Sequence, residues 1–371
     1  MNSRFPSRKP ESADFCRHVS PLPSRREILR KAIAVSGAFT LGLTDFSPGG
    51  PRLSCGQTGD TPPANKPNND QPVPSTRLPI IDTHQHLWDL KRFSLSWLEG
   101  APEILAKSYL PADFRAATEG LNVVQAVYME VDVRPDQQSD EATYVIELAR
   151  SGQEVTRAAV ISGRPAEASF APYIKRFAES GYIRGVRQVL HAPSAPRGLC
   201  LKPEFIASMR LLGELGMSFD LCMRPAELAD GVRLAQLAPE TRFIVDHCGN
   251  ADPKAFGKRA EGTTPSHDPQ QWRRDIDALS AQPNVICKIS GIVARVPQGE
   301  WGPELLAPVI NHCLDSFGPE RVVFGGDWPV CLLGATYRRW VDALQAVVAS
   351  RPLREQQQLF AENARRFYRL G

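Results

Sequence analysis

Several features are scarce or missing in this chain of 371 residues. No apolar run approaches the ~20 residues that a membrane-spanning helix needs. The candidate run, AIAVSGAFTLGL at 32–43, is too short, so no stable span is expected in the mature protein. None of the eight cysteines pairs with another as C-x-x-C, and none has the setting of a catalytic thiol. Cys222, Cys248, Cys287 and Cys331 adjoin apolar runs and are expected to act as small buried groups. Basic charge is scarce in the body of the chain. Residues 1–79 hold 11 Lys+Arg against 6 Asp+Glu and the rest holds 33 against 35, so the net +3 belongs to the tail. That excludes an electrostatic case for nucleic acid.

The tail reads as a targeting segment followed by a linker. Arg25-Arg26 precede the short apolar run, which has the length of a signal h-region. Residues 1–46 resemble a bacterial twin-arginine export signal, with Ile28 where such signals usually carry Phe. Residues 47–77 are dense in Pro, Gly, Asn and Asp without apolar periodicity, the composition of a disordered linker. The expected location is therefore outside the cytoplasmic membrane of a bacterium, periplasmic or extracellular.

From residue 78 the chain alternates short apolar runs with amphipathic stretches. Eight strands are predicted, at 78–84, 123–130, 155–161, 183–190, 217–223, 241–247, 284–290 and 321–325, with helical patterns such as 140–152, 203–216 and 302–318 between them. Alternation of this kind argues a parallel sheet. Eight repeats over 78–371 fit a (β/α)8 TIM barrel, for which ~250 residues is typical. A doubly wound sheet holding a nucleotide needs a Gly-rich turn after its first strand, and THQHLWD is not one.

The polar residues of this pattern gather where a barrel does chemistry. Side chains on a strand alternate, so Asp82, His84 and His86 are expected on one face, with both histidines in the barrel mouth. Glu130 ends strand two, Arg187 and His191 belong to strand four, His247 ends strand six, Lys288 and Ser290 end strand seven, and Asp327 follows strand eight. Active sites of such barrels form at the carboxyl ends of the strands. Packing alone gives no reason for polar groups at strand end after strand end.

These residues carry a resemblance. H-x-H on strand one, His on strand six and Asp after strand eight resemble the amidohydrolase superfamily. DTHQHLWD, DHCGN, CKISG, FGGDWPV and NARRFYRL, in that order, resemble its amidohydrolase-related branch, to which L-fuconolactonase and pyrone-dicarboxylate lactonase belong. The resemblance covers roughly 78–371 and implies a hydrolase that opens a lactone, a cyclic ester of a sugar acid or a carboxylated ring. Many superfamily members hold two metals, with a Lys on strand four and a His on strand five. Neither is present here, so a binuclear site is not expected.

Ester hydrolysis needs a nucleophilic water, a base and something to steady the oxyanion. Asp327 is the candidate base, with His247 the next candidate. His84, His86, His247 and Asp327 suit one divalent ion, zinc first, and catalysis by the histidines without metal stays open. Arg187 is placed to grip a substrate carboxylate or to serve as an ion-pair partner. Glu130, His191 and Lys288 are further candidates for substrate contact, Lys288 alternatively neutralising Glu130 or Asp82. Asp82 is expected to orient a histidine. Long segments after strands one, four, six and seven read as lids. The partner is a small molecule, and neither its identity nor the oligomeric state is encoded legibly. An amidase or decarboxylase on the same barrel, or a barrel that only binds, are the alternatives.

Overall fold

The computed structural model describes residues 77–257, 266–296, 299 and 301–371. The signal segment expected at 1–46 and nearly all of the linker at 47–77 lie outside the described residues. Eight parallel strands form one sheet in sequential order: β1 (Ile80–Gln85), β2 (Val123–Met129), β3 (Thr156–Ser162), β4 (Ile183–Arg187), β5 (Ser218–Leu221), β6 (Arg242–Val245), β7 (Val285–Ile289) and β8 (Val322–Phe324). A helix follows each strand: α1 (Pro111–Thr118), α2 (Gln138–Ser151), α3 (Phe170–Ala178), α4 (Pro203–Glu214), α5 (Leu228–Leu237), α6 (Pro269–Ser280), α7 (Pro303–Phe317) and α8 (Tyr337–Val348). This is the expected TIM barrel. Among the described residues no helix is long and apolar enough to cross a membrane.

The strands read as nearly continuous apolar runs because both faces are covered. Inward residues Ile81, Val127, Met129, Ala158, Val160, Ile244, Ile286 and Val323 form an inner core, and Ala364, Tyr368 and Leu370 of the C-terminal segment join it from below. The alternate residues, such as Ile80, Tyr128, Phe219 and Phe243, face the helices in a larger outer core. Helix starts follow the usual chemistry, with Pro in the first turn of α1, α4, α6 and α7. The cysteines at 222, 248, 287 and 331 are buried and unbridged, as are Cys200 and Cys313.

Strand one departs from simple alternation. Its register with β2 slips by one residue between Asp82 and Gln85, a bulge that turns the chain over. Asp82 therefore does not share the histidines' face. Its Oδ2 accepts from Tyr337 on α8 at 3.0 Å, and its Oδ1 accepts from the backbone N–H groups of Gly326 at 2.7 Å and His84 at 2.9 Å. It fixes the backbone of His84 and Gly326 and leaves the imidazole rings alone.

The seam between β1 and β8 is closed by few bonds. The Thr83 hydroxyl donates to the Phe324 carbonyl at 2.6 Å. The His86 N–H donates to the Trp328 carbonyl at 2.8 Å. Trp88 and Trp328 are buried nearby, and the Trp97 and Trp301 indoles donate to the carbonyls of Val131 and Gly334.

Candidate active site

The carboxyl ends of the strands bring the expected residues together. Ring centroids of His84 and His86 lie 4.9 Å apart, and those of His84 and His247 lie 4.4 Å apart. Asp327 Oδ1 stands 3.6 Å from His84 Nε2 and 3.4 Å from His86 Nε2. One ligand atom each from His84, His247 and Asp327 fall within 4.8 Å of one another. All are buried, with His247, the most open of them, only 8% exposed.

Local backbone geometry places two of these groups at a cost. His247 (φ 54°) and Asp327 (φ 53°) both adopt left-handed backbone, as do Cys248 and Asn250. Non-glycine residues lose roughly 1–2 kcal/mol there. The turn at His247 lets Asp246 and His247, adjacent in sequence, both reach the centre. Strain of this sort is tolerated where the surrounding fold holds it.

Second partners orient the rings. His86 Nδ1 lies 3.0 Å from the Met129 carbonyl, which can only accept, so Nδ1 carries the proton. His86 Nε2 is then a lone pair facing the Asp327 carboxylate across 3.4 Å. Two acceptors at this distance need a cation or a proton between them. His247 Nδ1 pairs with the Ser290 hydroxyl at 3.0 Å. Burial lowers the pKa of both His84 and His247, with the charge of Lys288 adding to it at His84, so both rings are held neutral as a ligand requires.

Around the histidines lies a ring of buried charge. Arg187 Nε donates to Glu130 Oε1 at 2.5 Å and Nη2 to the Glu130 carbonyl at 2.8 Å. Only its Nη1 turns to the centre, 3.2 Å from His84 Nε2. A two-point grip on a substrate carboxylate is thus not available in this arrangement, because two edges of the guanidinium are spent on Glu130. Glu130 is itself fully buried, with Oε2 accepting from the Asp132 N–H. Lys288 is fully buried, donates to Asp220 Oδ2 at 2.6 Å and forms an ion pair with Asp246 Oδ1 at 3.0 Å, in place of Glu130 or Asp82. His191 sits half-buried on the loop after β4.

Asp220 and Asp246 were not singled out by sequence. Burial pushes the Asp220 carboxyl up to about 7, against the pull of Lys288. Burial works the same way on Asp246, but Lys288 and His84 outweigh it and hold that carboxyl well below its ordinary value. Neither Asp246 oxygen receives a directed hydrogen bond, although Lys288 stands at 3.0 Å and Arg187 at 3.7 Å. Four carboxylates (Glu130, Asp220, Asp246, Asp327) thus face two fixed cations. The excess negative charge, the converging lone pairs and the nitrogen–oxygen donor set fit one divalent ion at His84, His247 and Asp327, with His86 beside them.

The model of the family described as amidohydrolase matches residues 81–370. The chain belongs to the amidohydrolase family. Among amidohydrolase relatives, an L-fucono-1,5-lactonase of Burkholderia multivorans (strain ATCC 17616 / 249) is 28% identical over 301 residues, 78% of this chain and 96% of the relative. An amidohydrolase from Burkholderia multivorans, solved with bound zinc, matches with a TM-score of 0.68 at 25% identity, over 79% of this chain and 100% of that one. A probable 2-pyrone-4,6-dicarboxylic acid hydrolase from Acinetobacter baumannii shares the fold, with a TM-score of 0.61 at 16% identity over 78% of this chain and 98% of that one. Membership in the amidohydrolase family makes the protein a hydrolase on a TIM barrel and accounts for polar groups at the carboxyl ends of its strands.

Proposed function

We propose that the protein is a lactonase that opens the cyclic ester of a sugar acid or carboxylated ring, using one divalent ion, zinc first. The observation that carries the reading is the pair of acceptors, His86 Nε2 and Asp327 Oδ1, facing each other at 3.4 Å beside His84 and His247. The similarity to L-fucono-1,5-lactonases supports the substrate class. His84, His86, His247 and Asp327 would hold the ion, which supplies an acidified water and a polarised carbonyl.

The chain's own residues do the rest. Asp327 accepts the proton of the attacking water. Met129 and Ser290 hold the rings of His86 and His247 so that their Nε2 atoms converge. Arg187 presents one N–H to the centre and steadies developing negative charge there. The buried walls keep competing water away. We also propose that Arg25-Arg26 direct export of the folded chain.

The test is a panel of sugar lactones, aromatic lactones and simple esters, read by acid release and by product mass. Addition of water to a lactone supports the proposal. Release of CO2, or no turnover on the whole panel, refutes it.

A further inference from the structure

Both ring nitrogens of His84 meet charged protein groups. At Nε2 stand Arg187 Nη1 at 3.2 Å and Asp327 Oδ1 at 3.6 Å. At Nδ1 stand Lys288 Nζ at 3.3 Å and Asp246 Oδ1 at 3.6 Å. A ring nitrogen facing an ammonium must accept, and one facing a carboxylate must donate. Nδ1 therefore has partners that ask for opposite states, and the state it takes decides what Nε2 offers the centre.

Lys288 itself is pinned. Asp220 from β5 holds it at 2.6 Å and Asp246 from the end of β6 at 3.0 Å, and all three side chains are fully enclosed. Burying such a set is costly, and well-packed apolar residues commonly serve stability as well or better. One layer below, Ile81, Ile244, Ile286 and Val323 fill the same barrel with hydrocarbon. Packing thus gives no reason for an ammonium and two carboxylates here. Asp246, with no directed hydrogen bond to either oxygen, has acceptor capacity to spare beside His84.

We propose that Lys288, anchored by Asp220, is a positioning residue. It fixes the Asp246 carboxylate 3.6 Å from His84 Nδ1, where its negative charge favours the tautomer with the proton on Nδ1, and the Nε2 lone pair is thereby presented to the divalent ion. The assignment rests on the reading of His84 as an ion ligand. Orienting partners of this kind typically change metal affinity or activity 10–100-fold.

The test uses the full chain, stripped of metal. Lys288→Met combined with Asp220→Asn removes one charge of each sign, so the balance of the interior is kept. Zn²⁺ affinity is measured by competition with a chromophoric chelator, alongside the unfolding midpoint of the metal-free protein. A folded double variant that binds Zn²⁺ about 10–100-fold more weakly supports the proposal, and one with wild-type affinity overturns it. If the double variant does not fold, Asp246→Asn decides by the same two outcomes, since it keeps the shape but removes the charge and one of the two acceptor oxygens. If the wild-type protein binds no Zn²⁺, the ion reading of the function fails by itself. Lys288 is then judged by kinetics of the same variants: a fall in kcat at unchanged KM supports positioning, and unchanged kcat overturns it.

Discussion

His86 Nε2 and Asp327 Oδ1 face each other at 3.4 Å across the seam where the last strand meets the first. Both are acceptors as placed, since the Met129 carbonyl claims the Nδ1 proton of His86. The first prediction concerns the carboxylate. Asp327→Asn should fold with an unchanged circular dichroism spectrum and lose activity by ~10²–10⁴-fold, the usual contribution of a general base. A loss below tenfold in kcat would pass the base role to His247.

The second concerns the ion. Protein purified without a His tag should carry about one divalent ion per chain by elemental analysis, since the two candidate ligand groups among the described residues, His84–His247–Asp327 and Cys222–Asp246–His247, share His247. Chelation should remove activity, and Zn²⁺ should restore it. Full turnover in a metal-free preparation would leave the histidines as direct donors to the carbonyl.

The third concerns a glycine behind His247. Gly291 has φ +68°, and a Cβ there would fall 2.1 Å from His247 Nδ1. Gly291→Ala should cost roughly 1–2 kcal/mol in backbone strain and displace the ring as well. Activity is expected to fall roughly 10–100-fold, the usual range for loss of an orienting partner, with the fold retained in denaturation curves. A variant of near wild-type activity would show that the ring position is not critical.

The fourth concerns pH. Burial, with Glu130 adding to it, pushes Glu141 up to about 8, while its Oε1 accepts from the Tyr128 hydroxyl and the Val131 N–H. In the unfolded chain a glutamate loses its proton near ~4.3. The folded state therefore holds a proton that the unfolded state has released, and stability drains away as pH rises from ~4.3 to about 8. Glu141→Gln should flatten this slope. Urea denaturation of both proteins at pH 5 and pH 8.5 checks it, and equal losses in the two would exclude Glu141 as the source.

The fifth concerns the tail. Replacing Arg25 and Arg26 with Lys should leave precursor in the cytoplasm, measured by cell fractionation. Equal export of the double variant would remove the twin-arginine reading.

Much of this fold was legible because strands buried on both faces must be apolar runs, and Ile80, Val127, Val160, Ile244 and Val323 mark them plainly. His84, His86, His247 and Asp327 were legible as polar groups ending such runs. What stayed hidden depends on backbone detail. Alternation through β1 puts Asp82 with the histidines, but a one-residue bulge reverses it. Asp246 faces inward by simple alternation from Ile244, while His247 joins it only through a left-handed turn that no residue type announces. Asp220 sat unnoticed in the run SFDL. The signal was there: a lone carboxylate in a buried strand needs a partner, and Lys288 two strands away was an equally isolated cation.

The bond from the His86 N–H to the Trp328 carbonyl has a consequence for biosynthesis. The ring is fastened at the point where its reactive groups meet, and those groups come from opposite ends of the domain. A chain still being made therefore has its first two histidines but not the carboxylate that completes them. Hydrolytic competence should arrive only when the ring shuts, so a growing or truncated chain is silent.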